Sequence, residues 1–372
     1  MERFFCNFTF KHNFLNVQIC RSKLCVKYSA CYFILSCIVR RYIFKLVDMT
    51  NHISKSFKLF ADHLIDYAGL FPPVSLHLKN ALENYLDYLQ KPTNWMLSRF
   101  IIPARRLPEL AATIKEENIE IKGTLTFSVL GSGGANEMSF FNNLKDDIDY
   151  IHTFENTLGG KAEIEVYDVR LPGDLQGDPD VKSIRQFIDH HYRMFETGLE
   201  HPIKIFYEVN PDRNLKNIIK GLWYHNKFER VTGYKIRIGR ADVSAIPSAE
   251  QIASAINICR QYQVPMKFTA GLQQPIRHYD ENLKTKMHGF INVFSAGIFA
   301  FCHNISEDQI LEMIDDEDPD DFTFKENSFA WKNLYIIPDE VRRAREKFMT
   351  SFSSFSLDML MEDLSSIKLY NL

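Results

Sequence analysis

Lys267, Glu208, Lys235 and Arg237 are the residues of this chain whose types and spacing best suit chemistry on a small molecule. Lys267 stands in the otherwise apolar run Val264–Leu272, where desolvation and nearby cations would favour a nucleophilic amine. Glu208, in the run Ile203–Asn210, is suited to act as the acid/base. Lys235 and Arg237 are two positions apart, so in a strand they share one face. A fixed cation pair of that kind suits a carboxylate or phosphate, which Arg can bind through two parallel hydrogen bonds. The expected ligand is therefore a small anionic carbonyl or sugar-like molecule, and the expected reaction is of lyase or aldolase type.

Further polar residues in the extended runs, Arg99 near the start of its own, are expected to bind the same substrate. These are Asp66, Tyr67, Arg99, Glu165, Thr269 and Asn292. Glu165 and Tyr167 alternate and are expected on one face. No cofactor is expected, although Asp66, Glu165 and Glu208 supply the oxygen ligands that Mg²⁺ would need. The spacings CxxC and HExxH do not occur, so a local zinc motif is missing. Ser132 is not in a GxSxG elbow. Gly131-Ser132-Gly133-Gly134 lacks the Lys-Ser/Thr ending of a phosphate-binding loop and reads as a turn. His190-His191 reads as a packed or solvated pair within a helix.

The elements that must position these residues alternate regularly. Strand candidates are Leu64–Leu70, Arg99–Pro103, Gly123–Leu130, Ala162–Val169, Ile203–Asn210, Tyr234–Ile238, Pro265–Leu272 and Gly289–Phe294. Between them lie helical patterns with apolar stripes, such as Leu78, Ala81, Leu82, Tyr85 and Leu89, or Leu215, Ile218, Ile219 and Leu222 after a cap at Asp212. Ser248 and Gln251 form a capping box ahead of another helix. Eight strand–helix alternations predict a (β/α)8 TIM-like barrel with a C-terminal helical extension, the rival being an open doubly wound parallel sheet. Charged pairs facing the helices would stand in an apolar layer at several kcal/mol apiece, so they are expected to face the lumen. In such a barrel the site lies at the C-terminal strand ends. The barrel is expected over residues 49–303, with 304–372 an acidic loop and helices packed on it.

Composition divides the chain. Residues 1–48 hold eight Lys or Arg against Glu2 and Asp48, a net +6 in a chain of −3, which leaves −9 for the rest. Five of the seven cysteines lie there too; Cys259 and Cys302 are isolated. A disulfide scaffold would spread its cysteines through the fold, so a reducing, cytoplasmic location is expected. The apolar run Tyr28–Val39 is twelve residues long, against about 20 for a membrane-spanning helix. No stable membrane association is expected; residues 1–48 read as a leader or disordered extension, with the working protein beginning near Met49. No basic stripe with interleaved aromatics supports nucleic-acid binding. The oligomeric state is open.

Leu64-Ile65-Asp66-Tyr67-Ala68-Gly69-Leu70-Phe71-Pro72-Pro73, Lys267-Phe268-Thr269-Ala270-Gly271-Leu272, Met287-His288-Gly289-Phe290 and the closing Phe352–Asp358 and Glu362-Asp363-Leu364 resemble segments of a bacterial family of uncharacterised proteins. The resemblance runs from about residue 60 to the end and implies one cytoplasmic domain without implying an activity. That family carries two histidines where this chain has Gln273-Gln274, and a Gly and a Cys in place of Ser353 and Phe355. Lys-Phe-Thr-Ala-Gly is also loosely similar to the Schiff-base strand of deoxyribose-phosphate-type aldolases. The other readings are a barrel that binds a ligand without turnover, a barrel with a purely structural lumen in which Lys267 pairs with Glu208 or Glu165, and a Mg-dependent barrel enzyme.

Overall fold

The computed structural model describes residues 53–177, 179–199, 201–211, 214–228, 231–239 and 246–369. The expected leader over 1–48, the start near Met49 and the cap at Asp212 lie outside the described residues.

Eight parallel strands close a barrel: β1 (Ile65–Tyr67), β2 (Leu97–Pro103), β3 (Leu125–Leu130), β4 (Ala162–Arg170), β5 (Lys204–Glu208), β6 (Thr232–Arg237), β7 (Met266–Thr269) and β13 (Met349–Ser354). They follow one another around the ring, and β13 closes it between β7 and β1. Between β7 and β13 lie a hairpin, β8 (His278–Asp280) and β9 (Thr285–Met287), and an antiparallel sheet, β10 (Phe322–Phe324), β11 (Phe329–Trp331) and β12 (Leu334–Ile336).

Alternation along each strand sorts the residues. Phe100 and Phe127 point outward and meet Tyr85 and Phe154, with ring centroids 5.4 and 5.2 Å apart. Each buried ring contributes about 1.5–3 kcal/mol to this outer layer. The alternate residues turn inward and are largely charged. The expected helices form where the periodicity placed them, Leu78–Gln90, Leu107–Glu116, Val181–Gly198 and Leu215–Asn226 among them, and Ser248 and Gln251 make the capping box of Ala249–Tyr262.

The eighth strand is not where the sequence placed it. Gly289–Phe294 opens the helix Phe290–His303, buried without a break from Phe290 to Ala300. A short apolar run carries no period that separates a buried strand from a buried helix. The ring closes instead with β13, so the barrel extends beyond residue 303 and the C-terminal region supplies part of it. Phe352 packs against Phe290 and Phe294, while Ser351 and Ser353 face inward. Gly297 makes room for this: a Cβ there would come within 2.2 Å of Met349 Sδ. Arg345, fully enclosed, ties β13 to the segment before β1 by donating to the carbonyls of Phe60, Asp62, Met349 and Thr350.

The acidic run is partly structural. Asp316 accepts the Trp331 indole N–H at 2.8 Å, and Lys332 lies near Glu312, Asp316 and Asp321. Among the described residues no helix is long and apolar enough to cross a membrane.

Candidate functional site at the C-terminal mouth of the barrel

The lumen holds a charge cluster built from inward positions of six of the eight strands. Asp66 comes from β1, Arg99 from β2, Glu165 and Asp168 from β4, and Glu208 from β5. Lys235 and Arg237 come from β6 and Lys267 from β7. Four acids thus meet four bases. Lys267 Nζ stands 2.9 Å from Asp66 Oδ2, 2.8 Å from Asp168 Oδ2 and 2.7 Å from Ser128 Oγ. Lys235 Nζ approaches the same Asp168 oxygen at 3.2 Å and Glu208 Oε2 at 3.7 Å. Arg237 donates to both oxygens of Glu208, at 3.0 and 3.3 Å. At the opposite end of the lumen Arg99 bridges Glu165 and Asp66.

Burial alone would raise the pKa of each acid, but the cations reverse this. Lys267 and Arg99 bring the Asp66 carboxyl down to about 2, with Ser351 adding a hydrogen bond. Lys235 and Lys267 lower Asp168, and Lys235 and Arg237 lower Glu208. All three are carboxylates at neutral pH. Asp168 Oδ1 is buried and accepts no hydrogen bond among the described residues.

Above this cluster, at the C-terminal strand ends, opens a cavity of about 940 Å³. Asp168, Glu208, Lys235 and Arg237 form its floor, Thr269 and Ser353 one wall, and Gln273, His278 and Asp280 part of its rim. Thr269 and Ser353 are joined by their hydroxyls at 2.9 Å, and Ser353 also accepts the Ala270 N–H. Gly271 has φ +75°, and its backbone passes so close to Gly239 that a Cβ on Gly239 would lie 2.5 Å from Gly271 N. Only glycine permits that approach between the ends of β6 and β7.

Of the residues singled out from sequence, Glu208, Lys235, Arg237 and Thr269 reach the cavity. Lys267 does not: it is 1% exposed and lies behind Asp168. Its closest charges are two acids, not the cations anticipated, and neither is Glu208 or Glu165. Asp66, Arg99 and Glu165 belong to the lumen cluster below the cavity. Tyr67 faces outward, its hydroxyl accepting from Asn84 and its ring against Tyr85. Asn292 lies in the helix Phe290–His303, where it accepts the Arg277 N–H and donates to the Met313 and Asp316 carbonyls. It therefore braces helices and takes no part in the mouth.

Glu165 and Tyr167 do not share a face. The β3–β4 register shifts between Phe127 and Ser128, so a bulge turns Glu165 inward while Tyr167 points outward to Asp147. Asp66, Glu165 and Glu208 are each occupied by cations. Among the described residues no group of three or more His, Cys, Asp or Glu is arranged to hold a metal ion.

Asp168, Ser128, Ser351, Ser353 and Arg170 are functional candidates that sequence reasoning missed. Asp168 and Arg170 alternate at the end of β4, a signal hidden by the bulge that reverses the strand's phase. Ser351 and Ser353 sit in the strand that was misplaced. Arg170 is exposed at the mouth and has no ion-pair partner among the described residues. The Gly131–Gly134 turn is anchored, since Ser132 donates to Asp147 from its amide and from its hydroxyl.

No protein-family model matches this chain, and no curated protein matches it. Among solved structures, a deoxyribose phosphate aldolase from Aeropyrum pernix is similar with a TM-score of 0.37 and 8% identity, covering 60% of this chain and 81% of that one. By its own strand order this chain is a closed (β/α)8 barrel with a cavity lined by charged residues at the C-terminal mouth.

Proposed function

We propose that this protein is a barrel enzyme of lyase or aldolase type acting on a small anionic carbonyl or sugar-like molecule held at the C-terminal mouth. One observation carries the reading: Lys235 and Asp168 form the floor of an open cavity while Lys267 stands immediately behind, sharing the same Asp168 oxygen. Lys235 is the amine a ligand would meet, and Lys267 acts as the electrostatic stabiliser. In the covalent step Lys235 Nζ adds to the carbonyl carbon, and loss of water leaves a protonated imine. That imine accepts the electron pair of the bond broken next to it. Glu208 is the acid/base group that lines the cavity, with the Asp168 carboxylate beside it in the floor. Arg237 and Arg170 are the cations available to the anionic group of the substrate.

Borohydride reduction in the presence of a panel of small phosphorylated and carboxylated aldehydes and ketones tests this. A stable adduct mapped by mass spectrometry to Lys235 is expected, and its loss in Lys235→Met. No adduct on any lysine across the panel sinks the covalent reading. The second reading, ligand binding without turnover, is favoured by the pairing of every lumenal cation with an acid; saturable binding with no consumption of ligand distinguishes it. A cytoplasmic location belongs to the same proposal, supported by the unpaired Cys259 and Cys302 thiols.

A further inference from the structure

A second cavity, also of about 940 Å³, opens at the other end of the barrel, where β5, β6, β7 and β13 begin. Its walls carry four cations. Lys204 comes from the start of β5, Arg260 from the last turn of Ala249–Tyr262, and Arg343 and Lys347 from Pro338–Lys347. Among the described residues none of the four is ion-paired. Glu346, on the same wall, is bridged to none of them. Arg260 donates from Nη2 to Asn257 Oδ1 at 2.6 Å, while its Nε is buried without a partner among the described residues.

The plainest account of such cations is that they complement helix C-termini, each worth about half a negative charge. Four helix C-termini, those of Leu215–Asn226, Ala249–Tyr262, Phe290–His303 and Pro338–Lys347, and Glu346 together offset about three of the four positive charges, so an excess of about one remains. Phe206 closes the inner end of this cavity, and the other side of its ring is 5.9 Å from Lys267 Nζ. A ligand here is therefore separated from the charge cluster by an aromatic ring and does not share the mouth.

We propose that this cavity is a binding site for a small multivalent oxyanion, with Lys204, Arg260, Arg343 and Lys347 its recognition groups. Two arginines supply planar forks for paired oxygens and two lysines supply mobile point charges, a combination suited to phosphoryl or polycarboxylate ligands. The site does not depend on the activity proposed for the mouth.

Calorimetric titration of the full chain at constant ionic strength tests the assignment, with inorganic pyrophosphate in one arm and citrate in the other. One equivalent of pyrophosphate, citrate or both is expected to bind, and the preferred arm identifies the phosphoryl or carboxylate source. The double variant Lys204→Gln/Lys347→Gln should weaken binding at least tenfold, whereas Arg237→Gln at the mouth should leave it within about twofold. Both lysines are exposed, and the charge-preserving Lys204→Arg/Lys347→Arg should retain binding, which separates lost recognition from lost folding. The proposal is overturned by the lack of saturable binding in both arms. Binding that is indifferent to the lysine pair, or that Arg237→Gln alone abolishes, overturns it equally.

Discussion

Lys235 and Lys267 direct their ammonium groups at a single oxygen, Asp168 Oδ2, from 3.2 and 2.8 Å. The two are not equivalent. Lys267 is the nearest cation to two fully buried acids, Asp66 and Asp168, whose other cations, Arg99 and Lys235, stand farther off at 3.5 and 3.2 Å, whereas at the less buried Glu208 Arg237 stands nearer than Lys235, 3.0 against 3.7 Å. Stability should therefore separate the two lysines. Lys267→Met leaves buried acids underneutralised and should cost about 3–5 kcal/mol. Lys235→Met should cost less than half of that, and equilibrium urea unfolding of the two variants at neutral pH measures the difference.

Asp66 links folding to acidity. Its carboxyl is brought from 3.8 in the free state to about 2 in the fold, so it binds a proton more readily when unfolded. The stabilisation it provides is complete above about pH 4 and is lost as the pH falls toward 2. At about 1.4 kcal/mol per pKa unit this amounts to about 2 kcal/mol. Asp66→Asn should flatten the pH dependence of unfolding across that window, and an unchanged slope between pH 4 and 2 would contradict the pairing.

His191 acts over a higher range. It is enclosed between the barrel and the helices, with Nδ1 2.6 Å from the Tyr207 hydroxyl and Nε2 without a partner among the described residues. Burial, with lesser effects from His225 and His190, pushes it from 6.5 to about 3, so the fold holds it neutral. Its contribution is fully present above about pH 6.5 and declines as the pH drops below that toward 3. The His191 ring resonances should stay unshifted in NMR titration down to pH 4, and His191→Gln should lose less stability between pH 7 and 4 than the wild type does.

Arg345 determines whether the ring closes. Its guanidinium donates to the carbonyls of Phe60, Asp62, Met349 and Thr350, on both sides of the seam between β13 and the segment before β1. Arg345→Leu keeps the apolar stem but strands those acceptors, at about 1–3 kcal/mol for each that water cannot reach. A loss above about 3 kcal/mol in urea unfolding is expected. Hydrogen exchange should speed up first in β13 and β1, ahead of β3 and β4.

Some of this protein was settled by local pattern. Seven strands and the helices between them follow from period and capping, because Phe100, Phe127, Ile184 or Ile218 repeat at intervals that only one backbone geometry can bury. The inward turn of Glu208, Lys235, Arg237 and Thr269 followed from the cost of placing charge against apolar helices. Tertiary structure decided what depends on partners distant in the chain. Gly289–Phe294 became a helix because it is surrounded on every side, and Met349–Ser354 became a strand although four of its six residues are serine or threonine, because β7 and β1 each left an edge to pair. A bulge reversed the phase of β4 and set Asp168 and Arg170, not Tyr167, on the inner face. Lys267 was legible as a buried cation, but its depth below the cavity was not, because depth is set by the stagger of neighbouring strands and leaves no mark on the residues themselves.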